Sequence, residues 1–417
     1  MIFNDIVLPK IGFLRGPFGG DLKKDIFVIK GPNTYKIYEQ GVVLQKDNNI
    51  GNYYITKEYF DNKMSRFEVN HGDFLVSCSG INLGAIFQIK KPYEKGIINQ
   101  ALLRIRLNNK IIDDNYFYYY FNIYLKRKIL SGCGDSTIPN FPPLDLIKKI
   151  SVNLPAMPIQ QKIGKILSNF DRKIILNNTK NTELEKLAKT IYTYWFLQFD
   201  FPNKNGKPYK SSGGKLVYNE ELKREIPKDW SVAKLDKLLR FEKGTEVGSA
   251  AYREIKENDN FVKFHRVADI DGYCSTFVNK NDNMLVYAKP ENIVVTFDGS
   301  VGKIGLGLDG AISSGLQKIY APDKRINNAM VWQIFNSETI QKTIQKYSSG
   351  SILKHASGSI EHLAIPYDEK TINIFQERIS PFYSQILVNK KQNIELAALR
   401  DFLLPLLMNG QVKVLDK

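Results

Sequence analysis

The chain contains two long stretches in which apolar residues recur every three and four positions, the spacing of a helix that packs along one face. The first of these seams starts at Ile163 and ends at Trp195. Its positions are apolar except for two neighbours in the middle, Asn177 and Asn181. The pattern therefore predicts a long helix that presents two amides to its partner.

The second seam has the same pattern, at the fixed offset that takes Asn177 to Asn389 and Asn181 to Asn393. Its one other polar position is Arg400. Because the first helix leads from one strand-rich region to the next, a second helix packed on it has to run in the opposite direction. In that antiparallel pair, Asn177 faces Asn393 and Asn181 faces Asn389.

Two interpretations of these four asparagines are open at this stage. A buried amide in a helix seam lowers stability but rejects other registers and partners, because a shifted pairing would bury each amide against leucine. Alternatively, both pairs face solvent at the waist of the helices. Since the pair recurs at equivalent seam positions, we favour a role in setting the register. Pro381 lies within the second seam and predicts a kink or a later start of that helix.

Strand-like segments upstream of the two helices also repeat. An alternating strand, a glycine turn and a second strand begin at Gly72 and again at Glu291, and two further similar segments begin at Gly96 and Gly310. We therefore predict an α+β protein formed by tandem duplication of a strand-rich mixed α/β domain and a long helix. The two helices are expected to form an antiparallel coiled coil.

The predicted division of the chain has five parts. Each strand-rich domain is followed by its helix, and a linker of low order, rich in Lys, Gly and Ser, joins the halves. In chain order the parts are the first domain at 1–155, the first helix at 156–200, the linker at 201–225, the second domain at 226–366 and the second helix at 367–417.

The balance of charge points to a polyanionic partner. The 417 residues include 59 Lys and Arg against 43 Asp and Glu, a formal net charge of +16. Such an excess suits nucleic acid, whose phosphates release counterions when lysine or arginine neutralises them. The alternative is a surface on which lysine only keeps the protein in solution.

Other features argue against secretion, membrane insertion and a metal site. The N-terminal sequence does not resemble a signal peptide, and no apolar run reaches the ~20 residues of a membrane span. The 3 cysteines lie far apart, so neither a disulfide framework nor a zinc site is indicated. We therefore expect a cytoplasmic protein with no membrane partner.

Motifs that resemble catalytic or cofactor sites are weak. "GLGLDG" at 305–310 has the glycine spacing of a dinucleotide site, but the sequence after it alternates like a strand, so we predict a hairpin turn. "FPPL" at 141–144 lacks the Asn or Asp and the aromatic residue that flank the prolines of amino-methyltransferases. The 4 histidines have no metal-binding spacing. We expect a binding scaffold with no catalytic residues, cofactor or metal of its own.

Several segments resemble the conserved regions of type I restriction–modification specificity subunits. They occur in the order domain, helix, domain, helix, and the resemblance covers nearly the whole chain. The segments are Phe199 to Leu239, which contains "IPKDW", the stretch "LPAMPIQQKIGKILSNFDRKI" from Leu154, and the "GSTIP"-like stretch from Asp135 to Pro139. The N-terminus departs from the pattern, because only "LPK" at Leu8 stands where a counterpart of "IPKDW" is expected.

The resemblance implies a subunit of a host-defence restriction system that has no catalytic activity and binds double-stranded DNA. Its two target-recognition domains would each read one half of a bipartite site. Two methyltransferase subunits, which use S-adenosylmethionine to methylate adenine, would dock on the helices, and restriction subunits that use ATP and magnesium would join where they are present. The rival interpretation is a duplicated polyanion-binding structural module with no methyltransferase partner.

Loops at equivalent places in the two domains are the predicted DNA contacts. Side chains that reach base edges give specificity, whereas Lys and Arg on phosphates position the protein. The candidates are Arg15, Lys23, Lys24, Ser79 and Asn82 in the first domain, and Lys243, Arg253, Lys263, Arg266, Ser300 and Lys303 in the second. The tyrosines at 116 and 118–120 are expected to pack in the core and not to stack on bases.

Overall fold

The computed structural model describes residues 1–80, 82–131, 141–272, 274–281, 284–323, 325–350 and 354–412. The chain divides into two compact units, Met1–Arg172 with Leu396–Lys417, and Lys173–Glu395. The predicted five-part division stays a prediction, and the stretch from Asp135 to Pro139 lies outside the described residues. In the described ranges, no helix is both long and apolar enough to cross a membrane.

The first unit consists of short strands and helices that lead into a long helix. In chain order these are β1 (Phe13–Arg15), β2 (Thr34–Tyr38), α1 (Gln40–Gln45), β3 (Tyr54–Thr56), α2 (Lys57–Tyr59), β4 (Phe74–Ser77), β5 (Ile86–Gln88), β6 (Gly96–Ile98), β7 (Leu102–Ile105), α3 (Asp114–Tyr120), α4 (Lys126–Leu130), α5 (Leu144–Lys148) and α6 (Met157–Tyr192). Single turns of 3-10 or π helix lie at Phe3–Ile6, Gly19–Asp21, Lys24–Ile26, Phe60–Met64, Ser65–Phe67 and Phe121–Leu125.

The later elements repeat the sequence of strands followed by a long helix. They are β8 (Leu216–Asn219), β9 (Arg224–Pro227), β10 (Ser231–Lys234), α7 (Leu235–Leu238), β11 (Arg240–Lys243), β12 (Phe261–His265), β13 (Phe277–Asn279), β14 (Tyr287–Ala288), β15 (Ile293–Thr296), β16 (Ile304–Gly305), β17 (Gly310–Ile312), β18 (Leu316–Tyr320), α8 (Asn328–Asn336), α9 (Glu338–Lys346), β19 (Ala364–Tyr367) and α10 (Glu369–Met408). A π-helical turn, Thr193–Leu197, follows α6, and 3-10 turns lie at Lys210–Ser212, Ser249–Ala251, Val267–Asp269 and Ser357–His362.

The four-stranded sheet of the first unit has the strand order β1-β7-β4-β5, and its neighbouring strands are antiparallel. Its strand β4 is buried along its whole length. Phe74 and Val76 face the cluster that contains α3, whereas Leu75 faces the cluster of the second sheet, β3-β2-β6. Burial on both faces explains why three consecutive residues of this strand, 74–76, are apolar.

The second unit repeats this architecture. Its four-stranded antiparallel sheet has the order β11-β18-β15-β16, and a second sheet has the order β13-β12-β17-β14. The pairing of Val76 with Leu103 recurs as the pairing of Val295 with Gln317. Val294, on the opposite face of the same strand, belongs to a separate hydrophobic cluster. The structure therefore confirms the predicted duplication and the α+β class.

The two long helices each span the boundary between the units, which falls after Arg172 in α6 and after Glu395 in α10. Pro158 lies in the first turn of α6, where its missing N–H has no helical partner to lose. Helix α10 begins at Glu369, so Pro381 lies inside it and does not mark its start. The carbonyl four residues before Pro381 therefore has no helical amide to accept from.

The segment 201–225 is ordered, so the expectation of a linker of low order was wrong. It contains the 3-10 turn Lys210–Ser212 and most of an antiparallel hairpin of β8 with β9. The ring of Phe201 stacks on those of Tyr209 and Trp230, with a centroid separation of 4.8 Å in each case. Aromatic stacking and the hairpin order a stretch whose Lys, Gly and Ser content suggested flexibility.

Two smaller sequence predictions have different outcomes. The motif "GLGLDG" is followed by strand β17 and not by a helix, but β16 and β17 belong to different sheets, so the connection is not a hairpin. The tyrosines of α3 pack in the core as predicted, with Tyr116, Tyr119 and Tyr120 buried.

Candidate nucleic-acid interface

Arg15 and Lys243 occupy equivalent places at the end of the first strand of each four-stranded sheet. Arg15 closes β1 and pairs with Leu103, and Lys243 closes β11 and pairs with Gln317. Leu103 and Gln317 are themselves equivalent, because each also pairs with the central strand of its sheet. The side chain of Lys243 is exposed and that of Arg15 is half-buried. The structure thus positions one cation at the same end of each sheet.

A glycine follows each of these cations and lets the chain pass close to a neighbouring loop. A Cβ atom added to Gly16 would lie 1.8 Å from the carbonyl oxygen of Asn99. One added to Gly244 would lie 2.2 Å from the carbonyl oxygen of Ser313. Backbone atoms cannot move away as a flexible side chain can, so both positions require glycine. These two glycines were not among the residues predicted from the sequence.

The turn after each central strand lies at the same end of the sheet as the strand-end cation. Ser79 and Asn82 belong to the turn between β4 and β5, and Ser300 and Lys303 belong to the turn between β15 and β16. All of these side chains are exposed except that of Ser79, which is half-buried. The structure therefore brings six of the predicted contacts to two equivalent strand ends.

Each of these turns is held by a residue that the sequence analysis missed. The Nε2 atom of Gln40 donates to the carbonyl oxygen of Ser79 at 2.9 Å and to its hydroxyl at 3.1 Å. In the second unit, the Asp298 carboxylate lies 2.7 Å from Nδ1 of His355. Both supporting residues, Gln40 and His355, lie more than 35 positions from the turn they hold. No local pattern in the sequence connects them.

Three further candidates lie at the second sheet of the second unit, around Tyr252. Arg253 donates to the carbonyl oxygen of Tyr252 at 3.0 Å and forms an ion pair with Glu257 at 3.1 Å. The guanidinium of Arg266 lies 5.6 Å from the centroid of the Tyr252 ring. Lys263 is exposed on β12. The two arginines are thus oriented by contacts within the chain, and Lys263 is exposed to solvent.

Lys23 and Lys24 lie apart from the strand-end set of the first unit. Both are exposed, beside the turn Lys24–Ile26 in the connection between β1 and β2. That any of the 11 candidates touches DNA stays a prediction. What the arrangement offers chemically is a cationic, hydrogen-bonding end on each four-stranded sheet, which is suited to phosphates and base edges.

In the second unit the long helices pack antiparallel through their asparagines. The Nδ2 atom of Asn177 donates to Oδ1 of Asn393 at 2.9 Å, and that of Asn389 donates to Oδ1 of Asn181 at 2.7 Å. Asn177, Asn181 and Asn389 are only 1%, 6% and 3% exposed. Asn393 is half-buried and also donates to Asn178 at 2.8 Å. The amides face one another as the seam predicts, so the interpretation in which both pairs face solvent is excluded.

In the first unit the seam contains an ion pair. Arg400 pairs with Asp171, and the other carboxylate oxygen of Asp171 accepts a hydrogen bond from the hydroxyl of Tyr119. Burial opposes the charge on Arg400, but its hydrogen bonds with Asp171 and Asp401 outweigh burial and raise its pKa. Burial, reinforced by the hydrogen bond to Asp171, raises the pKa of Tyr119. The polar position that interrupts the second seam is thus fully partnered.

Cys78 and His265 are titratable groups whose pKa values are shifted by burial. Burial raises the pKa of the Cys78 thiol to about 12, which keeps it protonated at neutral pH. His265 is 2% exposed, and burial lowers its pKa, while its Nε2 atom lies 3.2 Å from the carbonyl oxygen of Asp309. Within the part of the chain that the structure describes, no three or more His, Cys, Asp or Glu side chains are grouped to hold a metal ion.

Comparison with known proteins gives consistent matches. The model of a family described as the type I restriction modification DNA specificity domain matches residues 20–186. The chain is 28% identical over 329 residues to the type I restriction enzyme MjaIX specificity subunit of Methanocaldococcus jannaschii, which covers 76% of this chain and 73% of that protein. It is 20% identical over 408 residues to the type I restriction enzyme HindI specificity subunit of Haemophilus influenzae, which covers 82% and 87% of the two chains.

A solved structure supports the architecture. The type I restriction-modification system S subunit from M. genitalium superposes with a TM-score of 0.57 over 98% of this chain and 95% of that chain, at 15% sequence identity. At this level of identity the match concerns the fold, that is, the order of strand-rich domains and long helices.

Proposed function

We propose that this chain, which is similar to type I restriction–modification specificity subunits over most of its length, acts as the non-catalytic DNA-recognition subunit of such a complex. The observation that carries this proposal is the duplicated strand end, Arg15 with Gly16 in one unit and Lys243 with Gly244 in the other. Two equivalent places suit a DNA site that is read in two halves. The net charge of +16 supplies the general affinity for phosphates.

The two strand ends differ in chemistry, and this supports two different half-sites. The first combines Arg15 with the polar side chains of Ser79 and Asn82, and the second combines Lys243 with Ser300 and Lys303. Arginine and lysine both pair with the acceptors of guanine, asparagine pairs with adenine, and serine contacts either base, so only the first strand end carries a side chain that favours adenine. We therefore expect the two halves of the recognised site to have unlike sequences.

In this function, the two long helices would bind two methyltransferase subunits, one for each repeat. Support comes from large apolar side chains that α6 and α10 leave exposed, since such side chains are typical of surfaces that bind partners. They include Ile175, Leu176, Leu187, Ile394, Leu399 and Phe402. S-adenosylmethionine would bind in the methyltransferase subunits, and ATP and magnesium in any restriction subunit. This chain would then supply recognition and assembly only.

The experiment that tests this function is co-expression of the full chain with the adenine methyltransferase of the same system. We expect one stable complex whose mass corresponds to two methyltransferase subunits per chain, measured by light scattering after size exclusion. The complex should bind a DNA duplex more tightly than heparin of matched charge. A chain that binds heparin and DNA equally and never retains the methyltransferase would favour the rival, a duplicated polyanion-binding module.

Matched variants locate the DNA contact. Arg15→Gln and Lys243→Gln each remove one charge at a strand end, and Arg127→Gln and Lys237→Gln remove one charge from exposed side chains elsewhere in the same unit. We expect the strand-end variants to lower DNA affinity severalfold more than their controls, with the methyltransferase still bound. Equal losses in all four variants would mean that the strand ends contribute only general charge.

A further inference from the structure

A cavity of about 330 Å³ in the second unit brings together three lysines from separate elements. Lys189 comes from α6, Lys303 from the turn after β15, and Lys390 from α10. Glu185 is the one acidic residue in the lining, so positive charge is in excess. Within the described ranges, Lys390 attracts Glu185 and Lys189 attracts Glu338 electrostatically, but none of the three ammonium groups forms a direct ion pair or a hydrogen bond. The cavity therefore contains cationic donors that the fold leaves available.

The wall beside Lys303 is held in place by hydrogen bonds. Gln341, which also lines the cavity, donates from Nε2 to the carbonyl oxygens of Gly302 at 2.8 Å and Phe335 at 2.6 Å. The backbone amide of Lys303 donates to Oγ1 of Thr296 at 2.9 Å. The turn that carries this lysine is thus anchored on both sides, and only the lysine side chain itself is left to adjust to a ligand.

Comparison of the repeats indicates that the fold does not require these lysines. At the offset of the helix seams, Lys189 corresponds to Asp401 and Lys390 corresponds to Asn178. The hairpin position of the third lysine is taken by Ala85, whose carbonyl oxygen accepts from the amide of Ser77 as that of Lys303 accepts from the amide of Thr296. At the places equivalent to the three lysines there are thus one acidic residue, one amide and one methyl group. A purely structural need for lysine would be expected at both sets of equivalent places.

We propose that this cavity binds one phosphate group and, resting on the proposed function, that the group belongs to the backbone of bound DNA. Lysine is a compact point charge with three donors, which suits a phosphate approached from several sides. The cavity shares Lys303 with the turn that carries Ser300, so a strand read by this turn passes next to it. A free phosphate or a nucleotide offers the same chemistry and is the other source to test.

The test compares two charge-matched double variants of the full chain. Lys189→Gln with Lys390→Gln removes two cavity lysines, and Lys186→Gln with Lys391→Gln removes two exposed lysines of the same helices that do not line the cavity. Affinity for a fluorescent DNA duplex is measured by anisotropy across a salt series. Losing one phosphate contact should reduce the slope of log affinity against log salt by about 0.9, a fivefold to tenfold loss near 0.1 M salt. The control should change the slope less, and both variants should keep the melting temperature of the parent.

The remaining outcomes separate the possible ligands. Calorimetry measures the binding of inorganic phosphate and of ATP. If the parent binds them and the cavity variant does not, while both variants have equal salt slopes for DNA, the phosphate site is retained and its DNA source is overturned. Equal behaviour of both variants in every assay would overturn the site. Loss of methyltransferase binding alone would overturn it in favour of an acidic protein surface. Failure of the parent complex to bind DNA would instead count against the proposed function.

Discussion

The side-chain amide of Asn389 donates to Oδ1 of Asn181 at 2.7 Å across the helix pair of the second unit, and both side chains are at least nine-tenths buried. Gln385, one turn earlier on the same helix, donates from Nε2 to Oδ1 of Asn389 at 2.9 Å. Buried amides that satisfy each other are compatible with one register only, because a shifted helix would place each of them against an apolar neighbour.

Replacing one asparagine of this pair by leucine should lower the stability of the protein more than replacing both. Asn181→Leu leaves the amide of Asn389 buried without its partner, and we expect a loss of about 1–3 kcal/mol in the free energy of unfolding. The double variant Asn181→Leu/Asn389→Leu removes both polar groups and should recover that loss. Denaturant unfolding of the two single variants and the double variant measures the coupling. Additive losses would show that the two amides do not interact.

Replacing all four seam asparagines by leucine should raise the melting temperature and weaken the choice of partner. The apolar seam gains burial, but it then tolerates shifted or intermolecular helix pairing. We expect a higher melting temperature together with dimers or larger species in light scattering. An unchanged melting temperature with a single unchanged mass would contradict the role of Asn177 and its three partners in setting the register.

Alanine at the strand-end glycines should damage both fold and recognition. The added Cβ of Gly16→Ala or Gly244→Ala meets a backbone carbonyl oxygen at 1.8 or 2.2 Å, so the strand end has to move. We expect a loss of about 1–3 kcal/mol in unfolding free energy and a larger fall in DNA affinity than stability alone explains. Gly20→Ala and Gly358→Ala are matched controls, because a Cβ there meets no atom within 4 Å. Equal effects in test and control variants would refute the close approach.

Removing one partner of the ion pair in the first unit should lower the free energy of unfolding more than replacing both partners by apolar residues. Arg400→Met leaves Asp171 with only the Tyr119 hydroxyl, and we expect a loss of about 1–3 kcal/mol in unfolding free energy. The double variant Arg400→Met/Asp171→Leu removes both charges and should lose less than either Arg400→Met or Asp171→Leu alone. Arg172→Met, at an exposed neighbour, should change stability by under about 0.5 kcal/mol. A double variant weaker than both single variants would contradict this account.

His265 should make the protein sensitive to mild acid. Burial lowers its pKa from the ordinary 6.5, so the unfolded chain takes up a proton at a higher pH than the folded chain. Stability from this group is therefore complete well above pH 6.5 and is lost as the pH falls through and below that value. His265→Gln should remove that part of the pH dependence, which urea unfolding at several pH values measures. The exposed His71→Gln is the control, and identical pH profiles for the parent and His265→Gln would contradict the prediction.

Patterns of fixed spacing were readable from the sequence, whereas contacts between distant segments were not. The seam repeats at one offset, so the sequence alone relates Asn177 to Asn389 and predicts which amide each of them faces. The segments "FLRG" at 13–16 and "FEKG" at 241–244 are also equivalent, but their offset differs from that of the seam, and a fixed-offset comparison misses them. Recognising Gly16 as necessary depends on which loop passes it, which only strand pairing determines.

Residue composition gave a wrong prediction for a segment that is ordered by local packing. The segment 201–225 has the residue types of a flexible linker, yet the stack of Phe201 on Trp230 fixes it, and no compositional rule contains that contact. Arg400 looked like a defect of the seam for a similar reason. Its partner Asp171 lies more than 200 positions away in the chain, and the hydroxyl of Tyr119 donates to the other oxygen of that carboxylate.

The central claim is that two recognition domains direct methylation of a split DNA site. The most direct test is long-read sequencing of methylated adenine in DNA from cells that express this chain with its methyltransferase. The account predicts a bipartite motif with two unlike halves, one modified adenine on each strand, and loss of the motif when this chain is omitted. Methylation that does not depend on the chain, despite a folded protein and an active partner, would contradict it.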